Sequence, residues 1–223
     1  MASGYFITGT DTGIGKTLIA CALLHGFARQ GLRAVGMKPV AAGCDGVDCE
    51  DVIRLREAGN IEAPVNLINP YALAPPVAPH VAAKQAGIEI DLARICDAFE
   101  HLQQLAEVVV VEGVGGFRVP LNARQDTADL AGMLGLPIIL VCGMRLGCLN
   151  HALLSAEAIS RRGLSLAGWV ANRIEPDMPA FEENVQALEE RLAAPLLGIV
   201  PYSAIPQARE AAKYMRLDIL RAI

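Results

Sequence analysis

A glycine-rich segment near the beginning of the chain constrains the fold more than any other feature. Residues 9–17 read Gly-Thr-Asp-Thr-Gly-Ile-Gly-Lys-Thr. A short apolar run at 5–7, typical of a strand, precedes the segment, and an amphipathic run at 18–24 follows it. A strand, a glycine-rich loop, a Lys-Thr pair and a helix in this order predict a phosphate-binding loop. The physical reason is that backbone N–H groups and the positive end of the helix dipole converge on anionic oxygens.

Within this loop, we expect Lys16 to reach the terminal phosphates of a nucleotide and Thr17 to ligate Mg²⁺. Five residues separate Gly9 from the Gly15-Lys16 pair, one more than in the standard motif. The longer loop indicates a particular branch of the nucleotide enzymes. The alternative is a flexible glycine turn, but the agreement of strand, loop, Lys-Thr pair and helix favours nucleotide binding. For Asp11, inside the loop, a turn-forming role carries similar weight.

The composition predicts one α/β domain over residues 1–223. Apolar residues make up 53% of the 223 residues, enough for a buried core and too many for a disordered chain. The formal net charge is −5 and no long basic run occurs, so nucleic acid is not expected as the main partner. Every long apolar stretch is interrupted by Gly, Pro or a charge, so no membrane partner is expected either.

Cysteine usage and the N-terminal residues predict a cytoplasmic protein. The strand and the glycine-rich loop begin almost at once, which leaves no place for a signal peptide. No two cysteines form a C-x-x-C pair, and two of them fall in apolar runs. Free thiols in a reducing compartment are therefore favoured over a disulfide framework or a zinc site. The cysteines are Cys21, Cys44, Cys49, Cys96, Cys142 and Cys148.

Apolar runs alternate with helical patterns along the chain. The runs at 108–111 and 138–141 are continuously apolar, which is typical of strands buried on both faces. We therefore expect a mostly parallel central sheet flanked by helices, as in P-loop NTPases. The proline-rich segment 69–80 predicts an excursion at the carboxyl edge of this sheet, where open α/β folds bind ligands. Strands are predicted at 5–8, 34–38, 108–111, 138–142, 168–171 and 197–200, and helices at 16–30, 50–58, 91–106, 127–134, 149–162 and 180–193.

Charged side chains follow two of the predicted strands. Glu112 precedes Gly-Val-Gly-Gly at 113–116. Nucleotide enzymes place a carboxylate partner of Mg²⁺ at such a strand end, and the glycine-rich loop favours this role over a simple polar strand end. Lys38 is either a solvated lysine or a second cation near the phosphates or a carbonyl-type group of the substrate. Asp51 opens a predicted helix, where the pattern alone favours a helix cap.

Two later strand ends carry further candidates. Residues 146–151 read Leu-Gly-Cys-Leu-Asn-His and lead into a helix. Backbone N–H groups there suit a carboxylate, with an ordinary N-capped helix as the alternative. His151 is interpreted as a structural or surface histidine. Asn172 follows the strand at 168–171 and carries an amide able to pair with a base edge through a donor and an acceptor.

Together, these motifs resemble the dethiobiotin synthetases, ATP-dependent cyclo-ligases of biotin synthesis. The resemblance extends in order over nearly the whole chain. The loop with its additional residue is also similar to that of the wider family, which includes amide-forming cobyrinate enzymes and partition-type ATPases. The segments that carry the resemblance are 6–12, 15–17, 38–41, 69–71, 79–80, 111–113, 115–116, 146–151 and 168–172.

The resemblance implies a substrate set, a cofactor and a homodimer with each active site at the subunit interface. In this family 7,8-diaminononanoate, CO₂ and ATP give dethiobiotin, ADP and phosphate, with Mg²⁺ as the metal. The resemblance raises Asp51 from a cap to a metal ligand, together with Thr17 and Glu112. It implies that the 146–150 loop holds the substrate carboxylate from the neighbouring subunit.

The remaining site residues are implied by the same resemblance. Lys16, Lys38 and Thr12 correspond to catalytic positions. Asn172 would read adenine. The implied ATP-binding residues are Gly13, Ile14, Gly15, Lys16, Thr17, Glu112 and Asn172. The implied substrate-binding residues are Thr12, Lys38, Ala42, Leu146, Gly147, Cys148 and Asn150.

Two positions depart from the family pattern. Ala42 stands where the family often has Ser, which removes one polar contact to the carbamate region. Gly13 replaces an acidic residue that is often seen in the loop. The region after Pro201 resembles the family least, and no adenine contacts are assigned there.

Three other functions share parts of the pattern. A partition-type switch ATPase has the same loop, but it usually carries an amphipathic membrane-targeting tail or a basic surface, and neither is evident. An amide-forming ligase for a large tetrapyrrole usually has an added glutaminase domain, for which this chain has no room. A non-catalytic nucleotide-binding module is disfavoured by the presence of Lys16, Thr17 and Glu112.

Overall fold

The central sheet is built from parallel strands. The computed structural model describes residues 3–44 and 49–220. Six strands form one sheet in the order β2-β5-β1-β6-β7-β8, and every neighbouring pair is parallel. These strands are β1 (Ser3–Gly9), β2 (Ala34–Met37), β5 (Val108–Glu112), β6 (Ile138–Met144), β7 (Leu166–Arg173) and β8 (Leu196–Val200). The predicted α/β class with a mostly parallel sheet is confirmed.

Helices cover both faces of this sheet. The three longest begin at Lys16, Leu92 and Cys148. The first and the last of these each connect two strands of the central sheet, and the one at Leu92 leads into β5. They are α1 (Lys16–Arg29), α2 (Glu50–Ala58), α3 (Val65–Ile68), α4 (Pro79–Gln85), α5 (Leu92–Leu105), α6 (Thr127–Leu134), α7 (Cys148–Arg161), α8 (Phe181–Glu189) and α9 (Ala208–Ala211), followed by a 3₁₀ turn at Ala212–Tyr214. Within the described ranges, no helix has the length and apolar character needed to cross a membrane.

Strand β5 shows why the continuously apolar runs predicted a two-sided sheet. Val109 and Val111 pack into the core on one face, whereas Val108 and Val110 pack into the core on the other. Successive side chains of a strand point to opposite faces, so a strand covered on both sides needs an apolar residue at every position. The interpretation of 108–111 as a strand buried on both faces is confirmed.

The proline-rich excursion contains more regular structure than expected. A second sheet of two short parallel strands pairs β3 (Val40–Ala42) with β4 (Tyr71–Leu73), and α4 follows. Strands of three residues are too short to produce a recognisable periodicity, which is why the sequence pattern did not reveal them. Among the predicted helices, the one at 180–193 ends early, at Glu189. Pro195 lies just beyond and directs the chain into β8.

One prediction about the cysteines is wrong. Cys44 and Cys49 form a disulfide, with Cα atoms 4.6 Å apart, rather than two free thiols. Cys44 follows β3 and Cys49 is the N-cap of α2, so the fold brings together two residues separated by a spacing that is not C-x-x-C. The free thiols in the part of the chain that the structure describes are Cys21, Cys96, Cys142 and Cys148.

Candidate active site

A cavity of about 1010 Å³ lies at the carboxyl edge of the central sheet. Ligands bind at this edge of open α/β sheets, because loops and helix N-termini converge there. Predicted site residues on its wall are Thr12, Gly13, Gly15, Lys16, Thr17, Lys38, Ala42, Asp51, Glu112 and Asn172. The fold therefore brings residues from five distant parts of the sequence to one cavity.

The glycine-rich loop wraps the N-terminus of α1 as a phosphate-binding loop does. Gly13 and Gly15 adopt positive φ angles of 73° and 90°, a region that side chains with a β-carbon rarely enter. A β-carbon on Gly15 would also lie 2.3 Å from Nδ2 of Asn172. Ile14 between them is 1% exposed and anchors the loop in the core. The glycine at position 13, a departure from the family pattern, therefore matches the backbone conformation found there.

The side chain of Lys16 is buried and hydrogen-bonds to the backbone of the phosphate loop. Lys16 is 7% exposed, and its Nζ donates a hydrogen bond to the carbonyl oxygen of Asp11 at 2.7 Å. Burial lowers the pKa of Lys16 to about 8, and the nearby charge of Lys38 acts in the same direction. The carboxylates of Glu112, Asp51 and Asp11 oppose the shift. A buried ammonium with one neutral partner is suited to an incoming anion.

Lys38 lies at the centre of a buried charge cluster. It is 4% exposed, and its Nζ lies 2.5 Å from Oε1 of Glu112 and 3.0 Å from Oδ2 of Asp51. Burial alone would lower the pKa of Lys38, but the two carboxylates outweigh burial and raise it. Lys38 is therefore a buried, fully paired cation and not the solvated lysine of the alternative interpretation.

Asn69 hydrogen-bonds to the backbone of Lys38. Its Nδ2 donates to the carbonyl oxygens of Lys38 at 2.6 Å and Tyr71 at 3.2 Å, and it is 7% exposed. The Asn-Pro-Tyr segment at 69–71 was part of the sequence resemblance, but no role was assigned to the asparagine. A buried polar side chain that satisfies two carbonyl groups holds the backbone next to a site residue.

Three side chains converge where a metal ion would be coordinated. Thr17 Oγ1 lies 2.9 Å from both Asp51 Oδ1 and Glu112 Oε1. A hydroxyl has one proton, so it can donate to only one of these carboxylates at a time. Glu112 Oε2 is buried and has no hydrogen-bond partner. An orphaned carboxylate oxygen beside a second carboxylate and a hydroxyl fits a hard cation such as Mg²⁺.

The geometry decides between the two interpretations of Asp51. It stands in the first turn of α2, but the N-cap of that helix is Cys49, and no side chain makes a capping hydrogen bond there. Instead, Asp51 contacts Thr17 and Lys38. Burial would raise the pKa of Asp51, but the Lys38 ammonium, the Thr17 hydroxyl and the Arg54 charge together outweigh burial and lower it. Asp51 therefore remains an anion facing the cavity.

Glycines after β5 bring a second loop against the first. Gly115 has a φ of 62°, and a β-carbon on it would lie 3.6 Å from Oγ1 of Thr12. Thr12 is exposed to the cavity. Ala42, at the end of β3, lines the same cavity with a methyl group. The junction of these loops forms a second half of the cavity beside the phosphate loop.

Asn172 connects the phosphate loop to the far side of the cavity. It is 4% exposed, and its Nδ2 donates to the carbonyl oxygen of Ile14 at 2.8 Å. One N–H is thus committed to the loop, whereas Oδ1 and the second N–H remain for a ligand. Residues beyond β8 complete this side, and they were not predicted: Pro201, Tyr202, Ser203 and Pro206. The signal that points to them is their position at the carboxyl end of a predicted strand.

The 146–150 segment does not line this cavity. None of Leu146, Gly147, Cys148 and Asn150 is among the residues that line it. Leu146 is 97% exposed, Gly147 has a φ of 92° at the N-cap of α7, and Cys148 is buried. Within one chain, the structure therefore does not bring this segment together with the other predicted site residues.

The chain is similar to curated relatives over almost its whole length. It is 57% identical over 221 residues to the ATP-dependent dethiobiotin synthetase BioD of Nitrosospira multiformis, covering 99% of this chain and 97% of the relative. It is 57% identical to the enzyme of the same name from Aromatoleum aromaticum, covering 96% of each chain. Residues 3–208 also match a family model described as "AAA domain". This chain belongs to the dethiobiotin synthetase family.

Solved structures with low sequence identity share the fold. A chain of the MinC:MinD cell division protein complex from Aquifex aeolicus superposes with a TM-score of 0.58 at 14% identity, covering 94% of this chain and 86% of that one. A ParA family ATPase from Chlorobium tepidum gives 0.54 at 12% identity, covering 98% and 92%. Similarity at this level concerns the P-loop fold and carries no information on activity.

Proposed function

We propose that this protein is an ATP-dependent dethiobiotin synthetase. In this reaction 7,8-diaminononanoate, CO₂ and ATP give dethiobiotin, ADP and phosphate. The observation that carries the proposal is the buried cluster in which Lys38, Asp51, Glu112 and Thr17 meet beside the phosphate loop. Curated relatives of that name at 51–57% identity support it.

The proposed metal is Mg²⁺, held by Thr17, Asp51 and Glu112. Among residues 3–44 and 49–220, no group of three or more His, Cys, Asp or Glu side chains forms a complete metal site. Magnesium is commonly bound by one or two carboxylates, with substrate phosphates and water completing its shell. The bound ion would supply charge neutralisation at the phosphates. The unpartnered Glu112 Oε2 is an acceptor available for that purpose.

The proposed chemistry has three steps. A neutral amine of the substrate adds to CO₂ and loses a proton, which gives a carbamate. The carbamate oxygen attacks the γ-phosphate of ATP, ADP leaves, and a carbamic–phosphoric anhydride forms. The second amine attacks the carbonyl carbon of this anhydride, phosphate leaves, and the cyclic urea closes with loss of a proton.

The chain's own residues bring the reacting anions together. A carbamate and a triphosphate repel each other, so two cations near their junction lower the barrier. Lys16 extends from the phosphate loop and Lys38 from the end of β2, and both are buried in the cavity wall. Thr12, within the phosphate loop, lies next to Gly115 in the loop after β5. We assign it to the substrate side of that junction, with Ala42 as an apolar neighbour.

We assign the adenine of ATP to the side of the cavity formed by Asn172 and the residues after β8. Gly13, Ile14 and Gly15 surround the phosphates, and the free Oδ1 of Asn172 is an acceptor suited to the amino group of adenine. Nucleotide pockets combine apolar walls with a few polar groups. Pro201 and Tyr202 supply such a wall.

A homodimer is part of the proposal. The 146–150 segment, which the family resemblance assigns to the substrate carboxylate, does not line the cavity of its own chain. Leu146 is 97% exposed and Leu154 on α7 is 56% exposed, and exposed apolar surface is typical of protein interfaces. We assign this surface to a second subunit, whose cavity the segment would complete. We further propose that residues 1–223 act as one domain in the cytoplasm.

One experiment tests the activity directly. The purified protein is incubated with the diamine, bicarbonate, ATP and Mg²⁺, and the products are analysed by mass spectrometry. Formation of dethiobiotin with stoichiometric ADP supports the proposal. Phosphate release without dethiobiotin, whether or not the diamine is present, contradicts it and favours a partition-type ATPase.

Asp51→Ala is expected to weaken the dependence of activity on Mg²⁺. Removing one of two carboxylates from the site should raise the Mg²⁺ concentration needed for half-maximal activity about tenfold or more. The measurement is a Mg²⁺ titration of dethiobiotin formation at saturating ATP. Glu57→Ala, an exposed change on the same helix, is the matched control. An unchanged titration for Asp51→Ala would remove it from the metal site.

The affinity for ATP is expected to fall as the pH rises above about 8, the pKa of Lys16 in the free protein. Below that pH Lys16 is an ammonium and attracts the phosphates; above it, the neutral amine does not. Calorimetric titration with an ATP analogue in the absence of diamine isolates this effect from the ionisation of the substrate amines. Lys16→Arg, which keeps its charge at high pH, should abolish the fall. A pH-independent affinity for the parent protein would contradict the assignment.

A further inference from the structure

The phosphate loop rests on the end of β6 through a series of direct contacts. The N–H of Thr10 donates to the carbonyl oxygen of Val141 at 3.0 Å, and the N–H of Gly143 donates to Thr10 Oγ1 at 3.2 Å. A β-carbon on Gly143 would lie 2.4 Å from Cγ2 of Ile14, so the loop packs directly on this backbone. The end of β6 is therefore the support on which the phosphate loop is built.

Arg145 makes the last of these contacts, and it does so through Asp11. Its Nη2 donates to Oδ2 of Asp11, in a pair whose side chains are 39% and 44% exposed. The other carboxylate oxygen of Asp11, Oδ1, accepts the N–H of Thr12 at 2.7 Å, and its carbonyl oxygen accepts Nζ of Lys16 at 2.7 Å. All three oxygens of Asp11 are thus engaged, and two of their partners are proposed catalytic residues.

Arg145 neutralises the negative charge that Asp11 would otherwise present to a bound phosphate. Asp11 lines the cavity, and a bare carboxylate there would repel the triphosphate that the loop binds. A guanidinium is always protonated and bonds carboxylates firmly, so it both neutralises Asp11 and fixes its orientation. Exposed ion pairs contribute little to folding stability, so this pair is not explained as a stabilising contact.

We propose that Arg145 is a positioning residue for nucleotide binding. It neutralises Asp11, and through Asp11 it holds Thr12 and Lys16 in the form of the loop that accepts phosphates. The proposal deepens the proposed function and rests on it, because it takes ATP as the ligand. Arg145 immediately precedes the 146–150 segment, and its carbonyl oxygen accepts the N–H of Cys148 at 3.0 Å. The same residue therefore links the phosphate loop to the segment proposed to serve the substrate carboxylate.

The test is a double-mutant cycle on nucleotide affinity. Arg145→Ala should weaken the binding of a non-hydrolysable ATP analogue with Mg²⁺ about tenfold, the effect of one uncompensated charge near a charged ligand. Asp11→Asn keeps an oxygen for the Thr12 N–H but removes the negative charge. In the Arg145→Ala background it should therefore restore the affinity to within about threefold of the parent. Such suppression distinguishes charge neutralisation from a general loss of structure.

Controls make each outcome decisive. Arg161→Ala removes an exposed arginine from another ion pair, with Glu157 on α7, and should leave the affinity unchanged. Arg145→Lys keeps the charge and should retain most of the affinity. The proposal is overturned if Arg145→Ala binds the analogue within twofold of the parent, or if Asp11→Asn fails to restore affinity while thermal unfolding shows that both variants are folded. All of these affinities are measured by calorimetric titration with the ATP analogue. This measurement needs no turnover, so the results stand even if no dethiobiotin is formed.

Discussion

Lys16→Ala should lower the rate of dethiobiotin formation about 100-fold or more, comparable to the loss of one preorganised charge-stabilising donor. Lys16 is the buried cation that extends from the phosphate loop, and within this loop its ammonium donates a hydrogen bond to the neutral carbonyl of Asp11. Removing it leaves the developing charge on the phosphates without this partner. Steady-state assays at saturating ATP and diamine measure the change in turnover.

Folding is not expected to account for the loss of activity in Lys16→Ala. The side chain is a buried ammonium whose burial is unfavourable, as its lowered pKa of about 8 shows. Truncation removes that unfavourable term and breaks one hydrogen bond. The thermal unfolding midpoint should therefore stay close to that of the parent. Lys84→Ala, an exposed change on α4, is the control for activity. Turnover of Lys16→Ala within threefold of the parent would refute the assigned role.

Glu112→Ala should impair both folding and activity. Glu112 is 1% exposed and forms the shortest ion pair of Lys38, at 2.5 Å. Removing one partner of a buried pair typically costs about 3–5 kcal/mol of unfolding free energy, because the other charge stays buried. Asp51, 3.0 Å from Lys38, should keep the loss near the lower limit. Turnover should fall at least as far as in Lys16→Ala, since a proposed metal ligand is lost. Urea unfolding and steady-state assays measure the two effects.

Glu112→Gln separates the two roles of this carboxylate. The amide oxygen can still accept from Lys38 or Thr17, so the loss of unfolding free energy should be smaller than in Glu112→Ala. The negative charge needed by a cation is gone, so turnover should remain as low as in Glu112→Ala. If Glu112→Gln retained normal turnover and a normal Mg²⁺ titration, Glu112 would have only a structural role.

The environment of Lys38 could not be predicted from the sequence, because it depends on ion pairs that only the fold creates. A lysine after a strand is equally compatible with a solvated loop, and only the fold shows that two carboxylates surround it in the core. The role of Asp51 was also decided by the fold. Its sequence pattern favoured a helix cap, whereas in the structure it contacts two site residues. The contacts of Asp51 with Lys38 and Thr17 arise from residues separated by at least 13 positions. Local sequence patterns carry no information about such contacts.

The Cys44–Cys49 disulfide was missed for a related reason. Cysteine spacing predicts bonds only where a recognised framework exists, and this pair lies between a three-residue strand and a helix that the chain connects through a short segment. The residues after β8 that line the cavity were missed because the family resemblance is weakest there. Their position at a strand end was visible in the sequence, but its proximity to Asn172 depends on the order of the strands.

The sequence by itself determined the class of fold, the phosphate loop and the family, because these depend on local order: an apolar run, glycines at fixed places, Lys-Thr and a helix. Only the tertiary structure decided which side chains share one cavity. Strand order puts β1 between β5 and β6, so Glu112 at the end of β5 and Arg145 after β6 contact the phosphate loop from different sides, at Thr17 and Asp11. Burial and neighbouring charges then set the protonation of the two lysines. The ion pairs of Lys38 and the lowered pKa of Lys16 follow from distances that no local pattern contains.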